Sequence, residues 1–301
     1  HTGSGGGVTL SSDGTDLLLD GTAIGGGGGG GADLYAAETT GSTDPTASGT
    51  LSVAIGSSAA ASGTDAVSIG TSSKAGSYSV GIGTSSGNIG PNNVIIGRNA
   101  TTYTQSSVVI GHNADANDYG SSEAAIGYAA KAMGTGATAL VNSYASGSYS
   151  FAAAIANNSS SYGATGANSI AMGYQSKSTA QHAIAMGYQC QATNTAGIAL
   201  GYQAEAGQYA FAVGQGAIAE GRGSFAFGYG AKAVERNKFA FSGPWYSNVG
   251  DRQGGYLVLV RDTTDATASA LTSSGTAAST TNQIILPNNS AYSFSGTIIA
   301  R

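Results

Sequence analysis

The chain has 301 residues, 49 glycines and a formal net charge of −5, and only 9% of its residues are charged, against roughly 25% in ordinary globular domains. An acidic balance with no basic stripe argues against nucleic acid as a partner; no apolar run reaches the roughly 18 residues of a membrane-crossing helix, and no signal peptide is visible. One cysteine allows no internal disulfide framework, and the 41% hydrophobic content comes mainly from Ala and other small residues, which suits thin stacked strands better than a broad core.

Residues 1–50 read as a Gly-rich attachment or linker segment. Val8-Thr9-Leu10 and Leu17-Leu18-Leu19-Asp20-Gly21 supply a hairpin's worth of strand. The run from Gly25 to Gly31 breaks regular structure, and Asp44-Pro45-Thr46 is a turn signal.

A repeat then fills residues 51–243. Val53-Ala54-Ile55-Gly56, Val67-Ser68-Ile69-Gly70, Val80-Gly81-Ile82-Gly83, Val94-Ile95-Ile96-Gly97 and Val108-Val109-Ile110-Gly111 follow one another at 13 or 14 residues. Ala124-Ala125-Ile126-Gly127 comes after 16, and Thr138-Ala139-Leu140 and Ala153-Ala154-Ile155 are degenerate turns. The cleanest copies are Ile170-Ala171-Met172-Gly173-Tyr174-Gln175, Ile184-Ala185-Met186-Gly187-Tyr188-Gln189 and Ile198-Ala199-Leu200-Gly201-Tyr202-Gln203. Phe211-Ala212-Val213-Gly214 and Phe225-Ala226-Phe227-Gly228 complete the series. After each glycine the chain alternates again, as in Ala204-Glu205-Ala206 and Ala231-Lys232-Ala233.

A fixed short period marks a chain that coils and stacks on itself, and alternation with period 2 marks half-buried strands. Each turn is therefore expected to be two short strands and two tight corners, with the glycine supplying backbone freedom at one corner. Ala, Ser and Cys are the side chains expected inside so narrow a coil. The larger apolar pair of each turn then lies outside, in a stripe that includes Ile170, Met172, Ile184, Met186, Ile198, Leu200, Phe211, Phe225 and Phe227. Such a stripe exceeds the apolar patch a monomer tolerates, so an obligate homo-oligomer with its coils side by side is expected. About 14 turns at roughly 4.8 Å each make a rod about 65 Å long. The slack between 117 and 168 marks longer corner loops, where binding usually resides.

Large aromatics, Phe211, Phe225, Phe227, Phe239 and Phe241, replace Ile and Met in the last turns, and Glu235, Arg236 and Lys238 gather there ahead of Pro244-Trp245-Tyr246. This reads as a cap on the open end, with ion pairs between chains. Residues 244–301 read as a small C-terminal β domain, with strands at Tyr256-Leu257-Val258-Leu259-Val260, at Gln283-Ile284-Ile285-Leu286 and from Tyr292 to Ile299. A Thr/Ser/Ala-rich loop from Thr263 to Thr281 and a turn at Pro287-Asn288-Asn289-Ser290 separate them. The chain begins at His1 without Met and stops at Arg301 just after an expected strand, so the natural protein is expected to extend further.

No residue pattern points to catalysis, a metal or a cofactor. Cys190 occupies the slot of Ser176 and Ala204, a small interior position. His182 shares its slot with Ala196 and Tyr209, and His112 follows a glycine where other turns carry Arg98 or Tyr174; neither has a second ligand at a fixed offset. Gly221-Arg222-Gly223-Ser224-Phe225-Ala226 matches a dinucleotide fingerprint only in form, because no helix is expected after it. Asn99, Asn157, Asn158 and Asn288 satisfy the glycosylation pattern, which carries little weight in so Ser/Thr-rich a chain. Tyr128, Tyr174, Tyr188, Tyr202 and Tyr229 all follow the corner glycine, so they are expected to stack as a ladder. That ladder is read first as packing and second as a glycan-contact strip.

The recurring Val53-Ala54-Ile55-Gly56 pattern with Ala at fixed later offsets resembles the head repeat of YadA-like trimeric autotransporter adhesins. The resemblance covers roughly residues 53–243 and implies a left-handed parallel β-roll solenoid assembled as a homotrimer about a threefold axis. Leu34-Tyr35-Ala36-Ala37-Glu38, and the C-terminal runs Asn282 to Pro287 and Ile298-Ile299-Ala300-Arg301, are similar to phage fibre proteins that carry such repeats. The two resemblances imply a phage tail-fibre-like virion appendage first and a bacterial surface adhesin second. The expected partners are the chain itself as a homotrimer, other virion structural proteins and a host-surface glycan or protein, with no nucleic acid and no membrane insertion. A hexapeptide-repeat acyltransferase is disfavoured by the period and the lack of a supported His. Ice binding is disfavoured by the outward column Lys74, Asp115, Lys131, Lys177, Gln191, Glu205, Lys232.

Overall fold

The structure, a computed structural model, describes residues 43–88, 90–116, 120–157, 159–243, 247–264, 267–280, 282–284, 291 and 293–297, together with the backbone of the strands Leu10–Ser12, Leu17–Leu19, Thr22–Ala23 and Ala32–Leu34. The chain forms two compact units, residues 1–178 and 179–301. All regular elements among the described residues are strands.

In the first unit, nine short strands from Val53–Ile55 to Ile170–Met172 stack in parallel, each in register with the one before; Val53 pairs with Val67, and Ile95 with Val109. Two-residue strands from Thr46–Ala47 to Lys177–Ser178 form the other wall. The second unit repeats the pattern with five longer first strands, from Ile184–Tyr188 to Phe239–Ser242. Together these are about 14 turns of a parallel β-solenoid. Burial follows the alternation: the second residue of each first strand is buried while the apolar residues beside it are mostly half-exposed, and the last residue of every second strand other than Gly87–Asn88 is buried.

The corners are more demanding than the glycine alone indicates. Besides the corner glycine, each turn has further residues in the left-handed region, among them Ser58, Asp65, Gln189 and Ala196 with φ between 53° and 56°. Such conformations are unfavourable for residues with a Cβ. Here their N–H groups continue the inter-turn ladder: Asp65 N donates to Thr50 O at 2.9 Å, and Ala196 N to Gln181 O at 2.9 Å. The corner conformation is therefore held by the same ladder that holds the strands. Gly187, with φ of 128°, has a second reason to be glycine, since a methyl there would run into the carbonyl oxygen of Gly201 in the next turn.

Several expectations need correction. The coil starts earlier than Val53, because Ala32–Leu34 pairs in parallel with Val53–Ile55 and Thr46–Ala47 with Ala60–Ala61. The degenerate turn after Leu140 uses Phe151–Ala153, in register with Ile170–Met172, because this puts Ala152 inside and Phe151 outside; Ala153-Ala154-Ile155 is shifted from it by two residues. Small residues do not have sole use of the interior, which also holds Ile95, Val109, Ile155, Thr102, Asn93 and Glu123.

At the end of the second unit, the strand expected at 256–260 lies instead at Gln253–Tyr256, antiparallel to Phe239–Ser242. Two glycines explain the shift: a Cβ at Gly254 would strike the Phe241 ring, and one at Gly255 the Phe239 carbonyl, so only this stretch can lie against the aromatic turn. The end of the other wall is closed by a side chain. Gln253 accepts from Lys232 N (2.7 Å) and donates to Lys232 O (2.9 Å), so its amide stands in for one more strand. Lys238 pairs with Glu235 at 2.8 Å within the chain. Ile284, residue 291 and residues 293–297 are not in strands. The antiparallel pair Leu10–Ser12 with Leu17–Leu19 matches the expected hairpin. The readings placed on 8–9, 20–21, 25–31, 35–38, 244–246, 285–290, 292 and 298–301, and at Asn158, lie outside the described residues.

Candidate interaction surface

The outer face of the first strands carries the apolar stripe. Ile170 and Met172 in the first unit are half-buried, as are Ile184, Ile198, Leu200, Phe211 and Phe227 in the second, while Met186 and Phe225 are exposed. In the second unit the stripe becomes a run of rings: Phe211 to Phe227, and Phe227 to Phe239, are each 5.5 Å between centroids, with tilted planes. Parallel in-register stacking produces this alignment, because it repeats a side chain at one strand spacing along the whole sheet.

The tyrosines that follow the corner glycine lie on another edge of the turn. Tyr188 and Tyr202 stack with centroids 4.8 Å apart and planes 4° from parallel. Beside them Gln203 Nε2 donates to Gln189 Oε1 at 3.0 Å. The faces of these two rings are turned toward each other. The column is interrupted at Gln215, which is in register with Tyr202, before the half-buried Tyr229. In the first unit Tyr174 is exposed, and Tyr128 packs edge-on against His112 at 5.6 Å. His112 Nε2 in turn lies 2.7 Å from Arg98 Nη2. The turn after Tyr128 has no residue in this column, because Val141 takes the glycine place and Asn142 the left-handed place directly after it.

The remaining candidates take plain positions. Cys190 is buried and its thiol donates to Gly201 O (3.1 Å) and Met186 O (3.2 Å). Burial pushes this thiol above the ordinary cysteine range, outweighing its backbone hydrogen bonds with Ala204 and Gly201. His182 is an exposed left-handed corner residue, as is Tyr209 at the same corner of a later turn, and Ala196 between them is left-handed and half-buried. Gly221 to Ala226 forms a corner and the start of the strand Phe225–Gly228. Among the described residues, no group of three or more His, Cys, Asp or Glu could hold a metal ion, and no helix is long and apolar enough to cross a membrane.

One constellation was not read from the sequence. The position just before the first strand points inward, and in four consecutive turns it holds Ser79, Asn93, Ser107 and Glu123. Asn93 Oδ1 accepts from Ser107 N at 2.7 Å, and Glu123 Oε2 accepts from Ser107 Oγ at 2.6 Å and Thr104 Oγ1 at 2.9 Å. The only signal was a polar residue directly before the apolar phrase, Val-x-Ile in three turns and Ala124-Ala125-Ile126 in the fourth. On the outside, Thr101 Oγ1 donates to Asp115 Oδ1 at 2.9 Å, and Asp115 is in register with Lys131.

These features define an all-β parallel solenoid with an outward apolar stripe and a corner ladder. The family model described as "YadA head domain repeat (2 copies)" matches residues 47–73, 164–189 and 206–231, so the turns in these stretches, about two in each, are similar to YadA head repeats. No curated protein matches the chain.

Proposed function

We propose that the chain is a non-enzymatic structural and adhesive segment, a left-handed roll in which three copies lie side by side and are displayed outside a cell or a particle. The observation that carries this reading is the half-exposed apolar stripe, one or two large side chains per turn over about 14 turns. Full burial of such a side chain stabilises by roughly 1.5–3 kcal/mol, so even partial cover of the stripe outweighs the entropy lost on association. The matched repeat supports a trimeric adhesin-like role at an extracellular surface. Native mass by light scattering tests the assembly. A mass three times the 29.3 kDa chain, resistant to SDS, is expected; a well-behaved single chain overturns the reading.

Two settings fit the same repeats, a virion tail fibre and a bacterial surface adhesin. The virion reading rests on the end segments and the bacterial one on the matched repeat. Both take other surface or virion proteins, or a host glycan or protein, as partners, and neither calls for nucleic acid or membrane insertion. For the tyrosine column, the facing rings of Tyr188 and Tyr202 favour packing over stacking on sugars. Tyr188→Ala is accordingly expected to lower the thermal midpoint with glycan-array binding unchanged; loss of glycan binding with the assembly intact reverses that assignment.

A further inference from the structure

The stretch that follows the last turn is unfinished within one chain. Gln253–Tyr256 is the end strand of its sheet, and among the described residues its edge away from Phe239–Ser242 has no partner strand. Directly after it, Tyr256-Leu257-Val258-Leu259-Val260 is five consecutive apolar residues rich in strand formers, the pattern of a strand covered on both faces. In the isolated chain Tyr256 and Val258 are each 73% exposed. Residues 257–259 belong to no strand, and pairing resumes only where Val260 and Thr272 exchange backbone hydrogen bonds of 2.8 and 3.2 Å. An open sheet edge without charges is what a folded protein ordinarily guards against. Here the charges stand outside the segment, at Arg252 and Arg261.

We propose that residues 253–260 are completed by a second copy of this chain, the segment forming a cap shared between copies. The inference rests on the side-by-side assembly proposed above and adds to it where the copies interlock. A second copy is the occupant because the segment continues the stripe that the assembly covers. The Tyr256 ring lies 6.2 Å from Phe239 and 6.5 Å from Phe241, so the run of rings from Phe211 continues without a break to Tyr256, and the exposed Val258 follows it two residues on. Copies joined along that stripe bring their own 253–260 segments to the same level. In a closed ring each free edge can then meet a neighbour's apolar segment.

Trypsin tests this, since Arg252 and Arg261 flank the segment. In wild-type protein of threefold mass, cleavage after these two arginines is expected to be slower by about tenfold or more than in Val258→Asp. Val258→Asp places a charge on the shared face without touching any turn of the coil. Protection lost in the variant, with or without loss of the threefold mass, supports the shared cap. Threefold mass with wild type and variant cut equally fast overturns the cap and leaves the assembly standing. A single-chain mass for the wild type overturns both.

Discussion

Gly187 shows why a residue invisible to hydrophobic patterning can decide the turn. Its φ of 128° disfavours any side chain, and the space where a Cβ would go is taken by the Gly201 carbonyl. Gly187→Ala therefore combines backbone strain with overpacking against backbone, and a loss of roughly 2–5 kcal/mol is expected in denaturant unfolding. A loss below about 1 kcal/mol contradicts the close approach. Asp115 gives a prediction of opposite sign. Burial pushes its carboxyl above the ordinary aspartate range, although the hydrogen bond from Thr101 and the charge of Lys131 pull it down. A carboxyl with a raised folded-state pKa favours the fold fully below its unfolded pKa, and that contribution is lost as pH rises through the folded value. Asp115→Asn is thus expected to raise the thermal midpoint at pH 7, with the gain disappearing in acid below the ordinary aspartate range. An unchanged or lower midpoint at pH 7 refutes the burial penalty.

The strands of one turn are too short to stand alone, and their stability comes from pairing with turns before and after. This makes the ends the vulnerable elements. Gln253 closes one end by giving Lys232 both a donor and an acceptor, and Gln253→Ala leaves that edge without its protein partner. The expected result is faster amide exchange at Lys232 and a loss of about 1–3 kcal/mol; exchange at Lys232 equal to wild type rules out the capping role. The two strands of each turn were legible in the sequence because alternation maps directly onto inside and outside. The terminal strand begins three residues before the place its composition indicates, because Tyr256–Val260 is rich in strand formers and Gln253-Gly254-Gly255 is not. Only the fit of those glycines against Phe239 and Phe241 selects the earlier register.

Over the whole molecule, period and alternation alone determined the all-β coil, the number of turns, the buried Ala column and the outward stripe. Each follows from a local rule applied about 14 times, so an error in one turn, as at Phe151–Ala153, does not spread to the next. The apolar stripe was legible for the same reason, and the mass measurement that tests its cover needs nothing beyond it. What only the tertiary structure decided lies between turns, where residues 13 to 16 positions apart meet. The polar column Ser79–Asn93–Ser107–Glu123 inside the coil, the stacked Tyr188 and Tyr202, and the break of that ladder at Val141 and Asn142 are of this kind. Sequence spacing identifies which residues share a column. Whether neighbours in a column bond, stack or miss one another depends on corner geometry, and one residue more or less at a corner changes it.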